Sequence, residues 1–175
     1  YHVVLRGNGK QLLFEDDDDR LRFLELLSEK TEGDGIAIIA WCLMSNHVHL
    51  LLDDPDSRLS HAMHALGTAY ARTFNEKSGS RGRRDFKVDF TSISRQRAIG
   101  SCCKRFATFM RIPRKPGTAS VDGYRWSSYG DYLRGSGITD TRRVLSMIEV
   151  ARASSVFAQT VASASIIACL KKGSG

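Results

Sequence analysis

The order of apolar patterns along the 175-residue chain predicts an α+β fold, a ferredoxin-like split β-α-β antiparallel sheet with helices packed on one face. Four short segments alternate apolar and polar residues or run continuously apolar, as strands do, and two longer segments repeat apolar residues at helical spacing. They follow one another as β-α-β-β-α-β. A C-terminal helical extension completes the prediction, and the length suits one domain with a small appendage.

The first strand and the first helix are predicted from residues 1–35. Residues 1–6 are rich in β-branched side chains that partly alternate, and a glycine turn at 7–9 follows. The acidic run 16–19 precedes apolar residues at helical spacing, so its carboxylates are expected to cap the helix and oppose its dipole. A metal-binding acidic cluster is the alternative interpretation. The segment 33–35 is typical of a helix end.

The second and third strands are predicted as a hairpin that carries two histidines. The apolar runs on either side of Ser45-Asn46 are typical of strands, and this dipeptide is typical of a turn. Side chains alternate faces along a strand, so we expect His47 and His49 on one face and Val48 on the other. Two imidazoles on one face can share a metal ion. The alternative is that both rings only pack or form hydrogen bonds.

The remaining elements are predicted from the same two periodicities. A second helix is expected to open at Pro55 and Ser57 and to reach about Asn75, and residues 86–92 alternate as a fourth strand would. Residues 124–132 are aromatic and resemble a loop. Further helices are predicted at 99–110, 144–148 and 156–170.

The charge balance favours a polyanionic partner. Lys and Arg number 26 against 19 Asp and Glu, which gives a formal net charge of +7. Most of the excess lies between Arg81 and Lys115, where basic and aromatic residues occur together, a pattern typical of nucleic-acid-binding surfaces. The alternative is a basic surface that serves only solubility.

Hydropathy and cysteine spacing narrow the class of protein further. No apolar run approaches the length of a membrane span, so no membrane partner is expected. Among Cys42, Cys102, Cys103 and Cys169 there is no C-x-x-C pair, which argues against a structural zinc site. These cysteines are expected to be reduced thiols of a cytoplasmic protein.

Several motifs together resemble one known family. They are Tyr-His-Val at 1–3, Arg-Gly-Asn at 6–8, Met-x-Asn-His-Val-His-Leu-Leu at 44–51, the helical segment 70–75 and Tyr-Arg-Trp-Ser-Ser-Tyr at 124–129. The chain resembles the HUH-type single-strand tyrosine transposases (IS200-like), particularly the branch associated with repetitive extragenic palindromes. The likeness covers 1–82 well and 121–148 moderately. It implies a transposase-like domain over 1–135 and a helical tail over 136–175.

The resemblance implies a reaction and a set of residue roles. In the family, two histidines hold a divalent cation, Mg²⁺ or Mn²⁺, at a phosphodiester of single-stranded or hairpin DNA. A helix-borne tyrosine attacks that phosphodiester, so that the strand is nicked and later rejoined. His47 and His49 match the metal ligands. A homodimer is an open alternative. The expected DNA contacts, with turn chemistry or packing as their alternative roles, are Arg6, Asn8, Trp126 and Tyr129.

Residues 84–118 depart from the family pattern. Counting back from the Trp-Ser-Ser-Tyr block places the family's tyrosine at Ala107 and its polar metal ligand at Arg111, so no catalytic nucleophile is intact. Codons that can encode Phe-Lys-Val-Asp-Phe at 86–90 give Phe-Gln-Gly-Arg-Phe, the family's strand, when read from one nucleotide upstream. We therefore interpret the segment as frameshifted between two compensating indels, near Arg83 and near 118–121.

Three functions are consistent with these residues. The first is a transposase-like protein that nicks and rejoins DNA, with Tyr124, Tyr129 or Tyr132 as a substitute nucleophile. The second is a catalytically inactive DNA-binding remnant. The third is a metal hydrolase that does not act on nucleic acid, for which Asp53 or Asp54 would have to complete the ligand set.

Overall fold

A four-stranded sheet carries the fold, as the order of sequence patterns predicts. The computed structural model describes residues 1–7, 11–77, 86–91 and 124–153. The ferredoxin-like strand order β2-β3-β1-β4 is confirmed. The strands are β1 (His2–Gly7), β2 (Ala37–Leu43), β3 (His47–Asp53) and β4 (Phe86–Thr91). The helices are α1 (Asp17–Gly33), α2 (Leu59–Lys77), α3 (Tyr129–Arg134) and α4 (Thr141–Ala153).

The register of β1 decides which side chains share a face of the sheet. β1 pairs antiparallel with both β3 and β4, and it places His2 opposite Leu51 and Arg6 opposite His47. Opposite residues of an antiparallel pair project to the same face. The hairpin between β2 and β3 turns at the predicted dipeptide, since the Met44 backbone N–H donates to the His47 carbonyl at 2.8 Å.

Two compact units divide the chain. The first comprises residues 1–38 and 43–91, and the second comprises residues 39–42 and 92–175. The predicted boundary between a domain at 1–135 and a tail at 136–175 stays a prediction. No helix in the described ranges is long and apolar enough to cross a membrane.

The acidic run at 16–19 caps α1, as predicted. The Asp16 carboxylate accepts from the Asp19 backbone N–H at 2.9 Å, and Asp17, Asp18 and Asp19 occupy the first turn. Lys77 at the end of α2 donates to Asp16 at 2.5 Å and to Asp19 at 2.8 Å. The hydrogen bond from Lys77 is the main reason that the pKa of Asp16 is lowered. These carboxylates therefore serve helix capping and helix–helix contact instead of forming a metal cluster.

The buried core of the first unit lies between one sheet face and the helices α1 and α2. Val48, Leu50 and Leu52 of β3 are at most 2% exposed, and Val48 and Leu50 stand opposite Leu5 and Val3 of β1. Burying aliphatic side chains of this size stabilises the fold by about 1.5–3 kcal/mol each. The alternation within β3 thus gives one face to the core and places His47 and His49, together with the buried Leu51, on the other.

An aromatic cluster joins the two helices of this unit. Phe23 of α1 meets Tyr70 of α2 edge to face, with ring centres 5.2 Å apart, and Phe14 meets Phe23 at 5.5 Å. The buried Tyr70 hydroxyl donates to the Leu13 carbonyl at 2.7 Å, so its burial leaves no unsatisfied hydroxyl. Tyr70 and Phe74 are buried in this cluster, and α2 continues to Lys77, two residues beyond the predicted end near Asn75.

In the second unit, one prediction from the sequence is wrong. Residues 124–132 were expected to be a loop, but the last four of them begin α3. The helix is short and ends at Gly135, whose φ of 66° is the left-handed conformation that glycine adopts most easily. A helix of six residues is too short to show a helical apolar pattern within this aromatic segment. The helix predicted at 144–148 is confirmed and longer, whereas those at 99–110 and 156–170 lie outside the described residues.

Replacing Leu50 by alanine is expected to destabilise the protein by about 2–5 kcal/mol, because the side chain is fully buried and a cavity remains. The matched control is Leu21→Ala on α1, where the leucine is 44% exposed and the cost should stay within about 0.5 kcal/mol. Urea unfolding followed by circular dichroism measures both changes. Equal losses in the two variants would contradict this assignment of the sheet faces.

Candidate functional site

The polar face of the sheet brings together residues that are distant in sequence. His47 and His49 of β3 project on the face opposite Val48, as the alternation predicts, and both are half-buried. Arg6 of β1 is the register partner of His47 and is exposed. His2 of β1 approaches His49 from the same face. The antiparallel pairing of β1 with β3 thus assembles three imidazoles and one guanidinium on one surface.

The two predicted ligands stand close together. The rings of His47 and His49 have centres 4.9 Å apart and planes inclined by 84°. Nδ1 of His47 lies 2.7 Å from Oδ1 of Asn46, the last residue of the hairpin turn. A carboxamide oxygen only accepts hydrogen bonds, so we assign the proton of neutral His47 to Nδ1. That assignment leaves the lone pair of His47 on Nε2.

His49 is hydrogen-bonded to a third histidine, His2, which belongs to the Tyr-His-Val motif but has no predicted role in the site. Nε2 of His2 lies 3.1 Å from Nδ1 of His49. The ring planes differ by only 8°, and the ring centres are 5.4 Å apart, about as far as so short a nitrogen contact allows. The two rings are therefore side by side in nearly one plane, with the contact along the line between their centres. This is the geometry of a straight N–H···N hydrogen bond.

The electrostatic surroundings keep both predicted ligands neutral. Burial is the main cause that lowers the pKa of His49 to about 4, and the neighbouring His47, His2 and Arg6 add to it. Burial and then the charge of Arg6 lower the pKa of His47 as well. Imidazole binds metal ions in its neutral form, so this environment maintains the binding-competent state at neutral pH.

The donor set fits part of a metal centre. Two neutral imidazoles on one strand face can supply two nitrogen ligands. Within the ranges 1–7, 11–77, 86–91 and 124–153, no three His, Cys, Asp or Glu side chains converge to hold an ion. Asp54 accepts from the backbone N–H groups of Arg58 and Leu59 at 3.0 and 2.9 Å, so it caps the start of α2. Asp53 ends β3. The third ligand that a hydrolase would need is thus not among these carboxylates.

The Trp-Ser-Ser-Tyr block has a structural role that the sequence does not reveal. Ser127 forms an isolated β-bridge with Cys42. The Ser128 backbone N–H donates to the Trp41 carbonyl at 2.9 Å, and the Trp41 backbone N–H donates to Ser128 Oγ at 3.2 Å. The two serines therefore fasten this segment to residues of β2 within the second unit.

The aromatic residues of the same block are half-buried. The Arg125 guanidinium lies 4.7 Å from the centre of the Trp126 ring, in cation–π contact. Tyr129 opens α3 and is half-buried too. Their roles as DNA contacts stay predictions, as does that of Arg6 on the histidine face. Asn8, Ala107 and Arg111 lie outside the described residues.

The tyrosines differ in their suitability as nucleophiles. Tyr132 is 1% exposed, and its hydroxyl donates to the Ile39 carbonyl, so it is a core residue of the second unit. Tyr70 is likewise buried and hydrogen-bonded. Tyr124 and Tyr129 are half-buried. Tyr132 is accordingly the least suitable of the three predicted substitutes.

A buried carboxylate, which the sequence motifs do not indicate, organises the second unit. Asp131 is 4% exposed and accepts from Trp41 Nε1 at 3.1 Å, from Thr139 Oγ1 at 2.7 Å and from Arg134 at 3.2 Å. A Cβ at Gly137 would come within 2.3 Å of this carboxylate, so only glycine fits there. No local pattern marks Asp131, because its partners come from separate segments.

The class of protein follows from the fold and the site together: an α+β domain of ferredoxin-like strand order that carries a His-x-His pair on an interior strand. A family model described as "Transposase IS200 like" matches residues 1–92, more than half of the chain. The chain therefore belongs to the IS200-like transposase family, as the sequence motifs predict.

A solved REP-associated tyrosine transposase bound to a REP hairpin has a similar fold. It has 15% sequence identity and a TM-score of 0.52, over 78% of this chain and 82% of that chain. Another solved structure is a transposase candidate from Deinococcus radiodurans with 17% identity and a TM-score of 0.41, over 61% of this chain and 87% of that chain. No curated protein matches the chain.

Replacing Ser128 by alanine is expected to destabilise the protein by about 1–3 kcal/mol, because it leaves the buried Trp41 backbone N–H without its acceptor. The control is Ser146→Ala on α4, where the hydroxyl is exposed and bonds to the Arg143 carbonyl. Urea unfolding followed by tryptophan fluorescence measures the difference. A change no larger than that of the control would refute an anchoring role for Ser128.

The lowered pKa of His49 predicts a stability loss in acid. The folded state keeps this ring neutral down to about pH 4, whereas the unfolded chain takes up a proton near the ordinary value of 6.5. The unfolded state then binds more protons than the folded state between pH 6.5 and pH 4. The stability that the neutral His49 ring contributes is therefore complete above pH 6.5 and is lost as the pH falls towards 4. The melting temperature of wild type should therefore fall more steeply than that of His49→Gln over that window. Parallel curves would contradict the assigned shift.

Proposed function

We propose that this protein binds single-stranded or hairpin DNA and holds one phosphodiester at a divalent cation carried by His47 and His49. The observation that carries the proposal is the pair of neutral imidazoles beside Arg6 on one sheet face. A phosphate oxygen, a cation and a guanidinium are complementary in charge. The net charge of +7 supports a polyanionic ligand for the chain as a whole.

Each residue has a distinct task in this proposal. His47 and His49 supply two nitrogen ligands, and Asn46 orients the first of them through its hydrogen bond to Nδ1. Arg6 attracts the phosphate and adds charge-assisted hydrogen bonds to it. When bound, the cation would polarise the phosphodiester and offset the charge that develops on it. Imidazole ligands are softer than Mg²⁺ prefers, which favours Mn²⁺ over Mg²⁺ at this pair.

The nucleophile separates phosphate binding from strand cleavage. The family's tyrosine position falls on Ala107, and Tyr132 and Tyr70 are committed to the core by their hydrogen bonds. In-line attack tolerates little misplacement of the attacking oxygen. We therefore propose that the chain as written retains DNA binding and phosphate positioning while tyrosine attack is lost. Nicking and rejoining is the second candidate, favoured by the half-buried Tyr124 and Tyr129.

A metal hydrolase that acts outside nucleic acid is the weakest candidate. Hydrolytic centres of zinc-like type use three protein ligands and keep one position open. The Asp54 carboxylate already caps the start of α2. The described residues supply no third side chain that converges with the two histidines as a metal ligand. The histidine pair therefore suits a cation whose remaining ligands include phosphate oxygens of the bound DNA.

A fluorescent DNA hairpin titrated with the protein tests the binding. We expect binding in which the logarithm of the affinity falls linearly with the logarithm of salt concentration, because phosphate contacts release counterions. Added Mn²⁺ should raise the affinity in wild type and not in His47→Ala/His49→Ala. The control His61→Ala/His64→Ala alters two exposed histidines of α2 and should keep the Mn²⁺ response. Salt-independent binding, or a Mn²⁺ response that survives loss of His47 and His49, would refute the proposal.

Denaturing gels of the same mixtures test cleavage. With the hairpin labelled and Mn²⁺ present, no covalent protein–DNA adduct is expected from the chain as written. An adduct would overturn the loss of tyrosine attack, and its disappearance in Tyr124→Phe or Tyr129→Phe would identify the substitute nucleophile.

A further inference from the structure

The hydrogen bond between His2 and His49 decides which nitrogen of His49 can bind a cation. We propose that His2 is a positioning residue, which accepts a proton from His49 Nδ1 and thereby keeps the lone pair of His49 on Nε2. The inference rests on the proposed metal role of His49. It concerns a residue that lies 47 positions from His49 in the sequence.

The geometry allows two proton arrangements with opposite consequences. If Nδ1 of His49 donates to Nε2 of His2, then Nε2 of His49 carries a lone pair. If Nε2 of His2 donates instead, neutral His49 must carry its proton on Nε2, which then cannot bind a metal ion. The straight contact at 3.1 Å fits either direction of donation. Only the first arrangement is compatible with the proposed metal role of His49.

His47 offers an independent parallel on the same face. Its Nδ1 faces Asn46 Oδ1 at 2.7 Å, and an amide oxygen can only accept. The lone pair of His47 is therefore on Nε2. With the proposed arrangement at His49, both rings bond through Nδ1 and carry their lone pair on Nε2. Histidine ligands of metal ions commonly hold their second nitrogen in this way, and such outer partners fix the tautomer and the ring orientation.

The strand register explains why His2 can do this. His2 stands opposite Leu51 on the neighbouring strand and reaches diagonally to His49 on the same face. Diagonal neighbours in an antiparallel pair are within reach of long or aromatic side chains. Burial lowers the pKa of His49, so the neutral ring, which has two tautomers, is the form that His2 must discriminate.

Long-range ¹H–¹⁵N spectra of the imidazole rings in the metal-free protein test the inference directly. Wild-type His49 is expected to be protonated on Nδ1. His2→Phe keeps a ring of similar size but removes the acceptor, so His49 should shift towards the Nε2-protonated form. His2→Gln restores an acceptor oxygen and should restore the Nδ1-protonated form. The control His64→Phe changes an exposed histidine on α2 and should leave the His49 signals unchanged.

Mn²⁺ titration calorimetry of the same variants supplies the second readout. His2→Phe should weaken Mn²⁺ binding by about 10–100-fold, the range typical for loss of an outer partner, and His2→Gln should recover most of it. Circular dichroism verifies that each variant is folded. Wild-type His49 protonated on Nε2, an unchanged tautomer in His2→Phe, or His2→Gln behaving like His2→Phe would overturn the inference.

The two proposals fail in different ways. If His47→Ala/His49→Ala binds Mn²⁺ as tightly as wild type, the proposed metal role of the pair is wrong, and with it the purpose assigned to His2. The metal-free spectra still decide the direction of the hydrogen bond in that case, because they involve no ion.

Discussion

The antiparallel register between β1 and β3 is the constraint on which the site depends. It places Arg6 opposite His47 and His2 within reach of His49, so residues far apart in the chain share one surface. A shift of one residue would turn every side chain of a strand to the other face. The apolar residues on the opposite face prevent that shift, because it would bring the histidines into the core and the leucines into water.

The two faces of the sheet therefore support each other energetically. Val48, Leu50 and Leu52 are buried and hold the strand in register, while His47 and His49 stay half-buried on the other face. Partial burial of these two rings disfavours their protonated form. It therefore keeps both imidazoles neutral, which is the state a metal ligand needs. Stability at neutral pH and the neutral imidazoles that the proposed cation site needs come from one arrangement.

In the second unit, buried polar groups hold the segments together. Asp131 collects donors from Trp41, Thr139 and Arg134, and Ser128 exchanges hydrogen bonds with the Trp41 backbone. Buried polar groups are costly unless they are satisfied, so such a network specifies one arrangement of its segments. The motif that carries the family resemblance here thus contributes through its serines to structure, independently of any role of its aromatic side chains in binding.

The sequence by itself determined the strand and helix order, the face shared by His47 and His49, the capping of α1 by its acidic run and the family, because periodicity and short motifs are local properties. The tertiary structure decided that His2 meets His49, that Ser128 and Asp131 hold β2 residues, and that residues 129–134 are helical. Those contacts span 47 to 90 positions, and no local pattern specifies which distant segment will pair with which. Proton positions on the histidines depend on such contacts, so the chemistry of the site could not be predicted before the fold was known.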